Sequence, residues 1–395
     1  MEKFIYFINI LSDTMRYNPF NPQQPARPDV FVGREPEIVE FEKFLNQTMH
    51  SSPMNMSITG NRGMGKTSLL DKFEANAKEM DCLVVHLSNY EGNITNIIDF
   101  VEYITTNIKC EILSHRPLGK GVEKFKDWIN TFKPMVGWKD LTLSIEKKQV
   151  VQEMFRERLV KLWDEMKSDH KVCVLLIDEA ESLEEIGALT FLREVFQRAS
   201  KNCNYIVVLA GKLNFPERMS EAFSPLNRFF PSYRLSPFKK EEIDEYVIKR
   251  LQTVDVKIDE DALVYIREKT EGHPYVLAAV GYLLFDSLNP DEDKITKDIT
   301  IRADKKIMTK LAEDFFSPMF HPLSPKAKEM IIRIAKNSEG LDFTFKQAVE
   351  WTKEKRNYIA PYIQELVRKG VINKPERSRY SVFHTLFLDY LKKQM

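Results

Sequence analysis

Several things are scarce in this 395-residue chain. Net charge is absent: 58 lysines and arginines stand against 58 aspartates and glutamates. No global field therefore draws the molecule to nucleic acid or to a membrane, and any such pull has to be local. Cysteines number four, Cys82, Cys110, Cys173 and Cys203, far apart and with no CxxC pair. That spacing argues against disulfides or a zinc site. Cys82 and Cys173 lie in or beside apolar runs and read as buried thiols in a reducing compartment. A membrane span is also missing. The opening, MEKFIYFINIL, is apolar over only about ten residues, includes Glu2 and Lys3, and is followed by no cleavage-like site. It reads as a short helix packed on the body or on a partner, and the cytoplasm is the default location. There is no internal repeat and no low-complexity tract. What remains is an ordinary globular composition, 43% hydrophobic and 29% charged, which provides for a sizeable core. The length suggests about two or three domains.

The most informative stretch is GNRGMGKTSLL, residues 60–70, entered directly from the apolar-leaning run NMSIT. It fits G-x-x-x-x-G-K-[ST] through Gly60, Gly65, Lys66 and Thr67, with Gly63 between. Glycines let a backbone curl so that successive N–H groups face one anion, and the helix that follows presents its positive end. The loop Gly60, Asn61, Arg62, Gly63, Met64, Gly65, Lys66, Thr67 and Ser68 is thus the candidate phosphate cradle. Lys66 would reach the β- and γ-phosphates, and the Thr67 hydroxyl would ligate Mg²⁺. Context agrees: 54–59 reads as a buried strand, and 68–78 has apolar Leu69, Leu70, Phe73 and Ala77 at helical spacing.

Along the chain, residues 18–28 hold four prolines and predict an extended linker. VFVGREPEIVEFEKFLNQ follows, an apolar entry, a turn at Gly33 and a helix. Buried strands are expected at 82–87, 172–177 and 205–210, with a short fifth at 233–235. Residues 93–133 read mostly as helix, 138–145 as a strand or half a hairpin, and 149–167 and 183–199 as helices. Strands alternating with helices predict a parallel sheet covered on both faces. From Pro237 onward no strand pattern appears for over a hundred residues. Helices are expected there at 239–251, 259–270 and 274–288, then a charged segment to about 316.

The third strand ends VLLIDEAE. Asp178 at its C-terminal end can hold a hydrated Mg²⁺, and Glu179 can orient and deprotonate an attacking water. Acidic residues after a strand also commonly cap a helix. The phosphate loop upstream in the same sheet is what favours the ATPase reading.

With these residues in place the sequence resembles the AAA+ ATPases over about 30–395. More narrowly it resembles archaeal ATPases allied to the STAND signalling ATPases, and the origin-recognition initiator family. Besides GNRGMGKTS and LLIDEAE, the stretches that carry the resemblance are FVGRE (31–35), VVLAG (207–211), LNRFFPSYRLSPF (226–238) and EGHPYVL (271–277). The resemblance implies that Val32, Gly33 and Arg34 lie beside the adenine. It implies a first sensor of the γ-phosphate near Gly211, Lys212 and Asn214, although no single Asn or Thr stands in its place. It implies that Arg228 is an arginine finger for a neighbour's ATP. Initiators carry a phosphate-touching arginine in the lid; here His273-Pro274 stands instead, similar to the STAND glycine-x-proline. Pro274 suits a first helical turn, and His273 would donate to a phosphate. The missing arginine points to a slow switch rather than a fast motor.

From Leu323 the pattern changes. SPKAKEMIIRIAKN, FKQAVEWTK and PYIQELVRKG predict three helices, the last starting at Pro361. VINKPERSRYSVF reads as strand, turn, strand, and HTLFLDYLKK as a closing helix. This is the order of a winged helix-turn-helix. Residues 320–395 carry 15 lysines and arginines against 8 aspartates and glutamates, about +7 in a neutral chain. Lys355 and Arg356 before the third helix, and Lys374, Arg377 and Arg379 on the wing, are candidate contacts to double-stranded DNA. Tyr362 and Gln364 lead the third helix with no arginine before Arg368, so base reading would be weak.

The expected architecture is an N-terminal segment and proline-rich arm (1–29), an AAA+ α/β core (30–236), a helical lid (237–290), a linker helix (291–319) and a winged helix (320–395). ATP with Mg²⁺ would bridge Lys66 and Thr67 to the lid near His273. Loss of the γ-phosphate would reopen that angle and move the winged helix. Two functions fit. One is an ATP-dependent DNA-transaction factor that assembles with itself or a protein partner. The other is a STAND-like signalling or defence switch whose winged helix contacts protein. A translocating helicase would need a motif set that is absent.

Overall fold

The computed structural model describes residues 16–88, 94–115, 145–199, 203–376 and 378–394. The apolar amino-terminal segment, Arg377, and all but the last residue of the strand or half hairpin expected at 138–145 lie outside the described residues. The chain forms two compact units. One holds residues 34–60 and 66–235; the other holds the stretch up to Gly33, the turn Asn61–Gly65 and everything from Ser236.

The first unit is a parallel sheet with helices. In chain order it contains α1 (Glu35–Met49), β1 (Met56–Thr59), α2 (Lys66–Glu79), β2 (Leu83–Ser88), α3 (Ile97–Ser114), α4 (Ile145–Met166), β3 (Cys173–Asp178), α5 (Glu181–Glu185), α6 (Ala188–Ala199), β4 (Tyr205–Gly211), α7 (Phe215–Phe223), α8 (Leu226–Phe229) and β5 (Ser232–Arg234). The strand order is β2-β3-β4-β1-β5. All four pairings are parallel. Residues of β1, β3 and β4 are buried throughout, as unbroken apolar strands in a doubly covered sheet should be. Leu83, Val85 and Leu87 of β2 join a core with Ile104 and Ile108 of α3 and Phe155 and Leu159 of α4. The helix expected over 183–199 is two helices, because Gly187 takes φ +68° between α5 and α6 and ends the first.

The second unit is mostly helical: α9 (Lys240–Gln252), α10 (Glu260–Thr270), α11 (Pro274–Phe285), α12 (Lys297–Leu311), a π turn (Ala312–Phe316) and α13 (Ser317–Phe320). Two-residue strands β6 (Lys257–Ile258) and β7 (Lys294–Ile295) pair in parallel inside it, where no strand was expected. They are too short to leave a periodic signal. The proline-rich arm is more than a linker: Phe20 is 1% exposed and lies against Gly281 of α11, where a Cβ would come within 2.6 Å of its ring.

The same unit ends in α14 (Pro325–Asn337), β8 (Asp342–Thr344), α15 (Phe345–Thr352), α16 (Arg356–Arg368), β9 (Ile372–Glu376), β10 (Arg379–Val382) and α17 (Thr385–Lys392). β10 pairs antiparallel with both β9 and β8, so three helices and a three-stranded wing make a winged helix-turn-helix. Ser324 caps α14 through the Ala327 N–H, and Thr344 and Gln347 form a capping box on α15. The third helix begins at Arg356, not at Pro361, which lies inside it. Burial of Ile359, Ile363 and Leu366 at helical spacing rewards the earlier start and outweighs the one backbone bond that proline cannot donate.

Candidate nucleotide site

In the α/β unit, β1 ends at Thr59 and the Gly60 N–H donates to the Gly211 carbonyl at 3.4 Å. Lys66 opens α2 and donates from Nζ to the Gly60 carbonyl at 3.0 Å. The Thr67 hydroxyl donates to Asp178 Oδ2 at 2.7 Å. Asp178 Oδ1 accepts the Glu179 N–H at 2.9 Å. Sheet topology explains this meeting: β1 and β3 flank β4, and both run the same way, so the residues leaving them emerge on one edge.

The electrostatics suit an anion and a cation held together. Burial pushes the Lys66 ammonium below its ordinary pKa, opposed by the nearby Asp178 and Glu181 carboxylates. Glu179 is shifted upward, first by burial and then by repulsion from Asp178 and Glu181. Glu181 was not singled out from the sequence, although it is the third acid in DEAE. It is 8% exposed, one oxygen meets Lys212 Nζ at 3.1 Å, and its Oε2 is buried without a hydrogen-bond partner. Asn214 precedes α7 without capping it.

In the helical unit, the turn itself is held from behind. Gly63 and Gly65 take φ +77° and +83°. A Cβ on Gly65 would meet nothing within 4 Å, which is the open space a phosphate cradle requires. A Cβ on Gly63 would instead come within 2.8 Å of His273 and Tyr275. The Tyr275 N–H donates to the Gly63 carbonyl at 3.1 Å, and His273 Nε2 lies 3.1 Å from the Arg62 carbonyl oxygen. His273 is 3% exposed, and its ring packs with Phe315, Phe383 and His384. Pro274 begins α11 at its first turn. Met64 is buried, while Arg62 is exposed and Asn61 and Ser68 are half-buried.

The remaining candidates scatter. Val32 is a core residue of the helical unit, and Gly33, φ +72°, is required there because a Cβ would reach 2.6 Å from the Glu242 carboxylate. Arg34 is buried in the α/β unit with φ +68° at the start of α1. Arg228 is exposed on α8, and among the described residues no ion pair holds it. In the winged module Lys355, Arg356, Lys374 and Arg379 are exposed, and the Arg356 guanidinium lies 5.4 Å from the Phe345 ring centre.

Comparison with known proteins agrees with this geometry. Residues 30–209 match the model of the AAA ATPase domain family. The chain is 22% identical over 390 residues to an uncharacterized HTH-type transcriptional regulator of Methanocaldococcus jannaschii, covering 94% of this chain and 90% of the other. Among solved structures, the Walker-type ATPase PABY2304 of Pyrococcus abyssi shares the fold with a TM-score of 0.57, at 17% identity over 95% of this chain and 99% of that one. The ORC1 protein of Aeropyrum pernix, solved in complex with DNA, aligns at a TM-score of 0.46 and 16% identity, covering 93% and 94% of the two chains. Among the described residues, no helix is long and apolar enough to cross a membrane.

Proposed function

We propose that this protein is an AAA+ ATPase that binds and slowly hydrolyses ATP, and that nucleotide state governs DNA binding by the winged module. The observation that carries the ATPase reading is the convergence of Lys66, Thr67, Asp178 and Glu179 at one sheet edge. The donor set fits the ligand. Lys66 is a half-buried cation suited to phosphate oxygens, and the Thr67 hydroxyl with the Asp178 carboxylate offers the hard oxygens that Mg²⁺ takes. When bound, Mg²⁺ offsets phosphate charge. Glu179 would orient water and hold its proton on the carboxylate, a task its raised pKa favours. Arg228, exposed, would serve a neighbouring copy's nucleotide in a homo-oligomer. Val32, Gly33 and Arg34 would border the base, and His273 and Pro274 would steady the turn.

Coupling to DNA is supported by the helical unit alone. The Arg62 and Gly63 carbonyls are bonded to the start of α11, and the His273 ring touches Phe383 and His384 of the winged module. A turn reshaped by phosphate would press on that contact chain. The chain would divide into an N-terminal segment and arm 1–29, a core 30–236, a lid 237–290, a linker 291–319 and a winged helix 320–395. Lys355, Arg356, Lys374 and Arg379 would contact phosphates, which the regulator name of the M. jannaschii relative makes reasonable. The second reading, a signalling or defence switch closed by a protein-binding winged helix, is favoured by His273-Pro274 in place of a lid arginine.

The test is duplex DNA affinity across a salt series, with ATP and with ADP, for wild type and Lys374→Ala/Arg379→Ala. Log affinity should fall steeply with log salt, by about 0.9 per phosphate contact, and the double variant should shallow that slope by about two contacts. Affinity should differ between the nucleotides. No binding at low salt would overturn the DNA reading in favour of the protein-binding switch.

A further inference from the structure

We infer that Asp71, Glu74 and His86 form a binding site for a divalent transition metal, with Zn²⁺ the best match, on the face of the sheet beneath α2. Asp71 and Glu74 are three residues apart on α2, so their carboxylates share one helix face. α2 packs on β2. Leu83, Val85 and Leu87 of β2 belong to the core on the other side of the sheet, so the alternation turns His86 toward α2. An imidazole is out of place there: LVVHLS is otherwise apolar until its last residue.

Three donors from two elements converge. His86 Nδ1 lies 3.2 Å from Glu74 Oε2 and 3.7 Å from Asp71 Oδ1. The three ligand atoms all lie within 4.8 Å of one another. Zinc bonds of about 2.0–2.2 Å place two ligand atoms of a tetrahedron about 3.3–3.6 Å apart, so the two measured spacings bracket the ideal. Lys78 Nζ holds the second Glu74 oxygen at 2.7 Å, which leaves Oε2 aimed at the histidine. The side chains of Asp71, Glu74 and His86 are 31%, 27% and 23% exposed, so a water can complete the shell. One imidazole with two carboxylates suits zinc, whereas Mg²⁺ prefers oxygen alone. The ion would take the place of the proton that His86 shares with Glu74, and would clamp α2 to β2.

The test uses the full chain without an oligohistidine tag, stripped by chelator and titrated with Zn²⁺ against a chromophoric competitor. One equivalent should bind with a Kd of about 10 µM or tighter. His86→Gln should bind at least about tenfold more weakly, and so should Asp71→Asn/Glu74→Gln, which covers the case of a poorly folded histidine variant. Cys110→Ser should bind like wild type, since that exposed thiol is the rival zinc ligand. Co²⁺ in place of zinc should give intense tetrahedral visible bands with no thiolate charge-transfer band. Zinc should raise the wild-type Tm and leave His86→Gln unmoved. Wild type that binds no zinc below about 100 µM, that binds no tighter than both ligand variants, or whose cobalt form carries a thiolate band would overturn the site and leave a plain His–carboxylate ion pair.

Discussion

Glu179 takes φ +53°, a left-handed backbone that a side chain adopts at a cost of about 1–2 kcal/mol. The cost is accepted where Asp178 turns its other oxygen to the Glu179 N–H and its first to Thr67. The candidate metal-facing acid and the candidate base are thereby fixed by one another. Glu179→Gln keeps shape and length but cannot accept a proton. ATP affinity should stay within about twofold of wild type while turnover falls about a hundredfold or more, measured by nucleotide binding and phosphate release. Unchanged turnover would remove Glu179 from the role of base. At this scale the motif residues were legible, because phosphate chemistry restricts residue types tightly. Glu181 was not legible: its burial beside Lys212 depends on where α7 and β4 place their neighbours. Val32 and Gly33 were singled out from the motif, but the packing each meets was not legible: Val32 lies in the core of the helical unit, and a Cβ on Gly33 would meet the Glu242 carboxylate.

Among the elements, α14 and α16 are joined by a charged fastening. Glu365 Oε1 accepts the Ser324 N–H at 2.8 Å and Oε2 accepts its hydroxyl at 2.7 Å. Burial raises the Glu365 pKa, but the Ser324 amide and hydroxyl, aided by Arg368 and Lys369, outweigh it and hold the carboxyl below its ordinary 4.5. A depressed carboxylate stabilises the fold above its unfolded pKa, and that stabilisation is lost as pH falls through the folded value. The stability gap between wild type and Glu365→Gln, from urea unfolding of the winged module's tyrosine signal, should be constant at about pH 6–7 and shrink below about 4.5. A gap that does not change with pH would show that the carboxylate charge contributes nothing there. Helix positions were largely readable from apolar spacing. Their ends were not, where a competing term decided: Gly187 split one helix, and buried Ile359 extended another past Pro361.

For the whole molecule, a parallel sheet followed from apolar runs separated by helices, whereas its order, β2-β3-β4-β1-β5, is set by pairing between distant segments and leaves no local pattern. Residue order alone gave the winged helix, but not β8, whose three residues become a strand only by pairing with β10. The pairing of β6 with β7 has the same origin, since contacts between distant two-residue segments leave no local pattern. All of the functional reading rests on triphosphate capture by the loop from Gly60 to Thr67. Equilibrium dialysis of the intact chain against labelled ATP with Mg²⁺ tests it most directly. About one ATP per chain should be retained by wild type, and Lys66→Ala should lose at least about tenfold in affinity. A wild-type chain that takes up no ATP, or a Lys66→Ala chain that holds it equally well, would contradict the account.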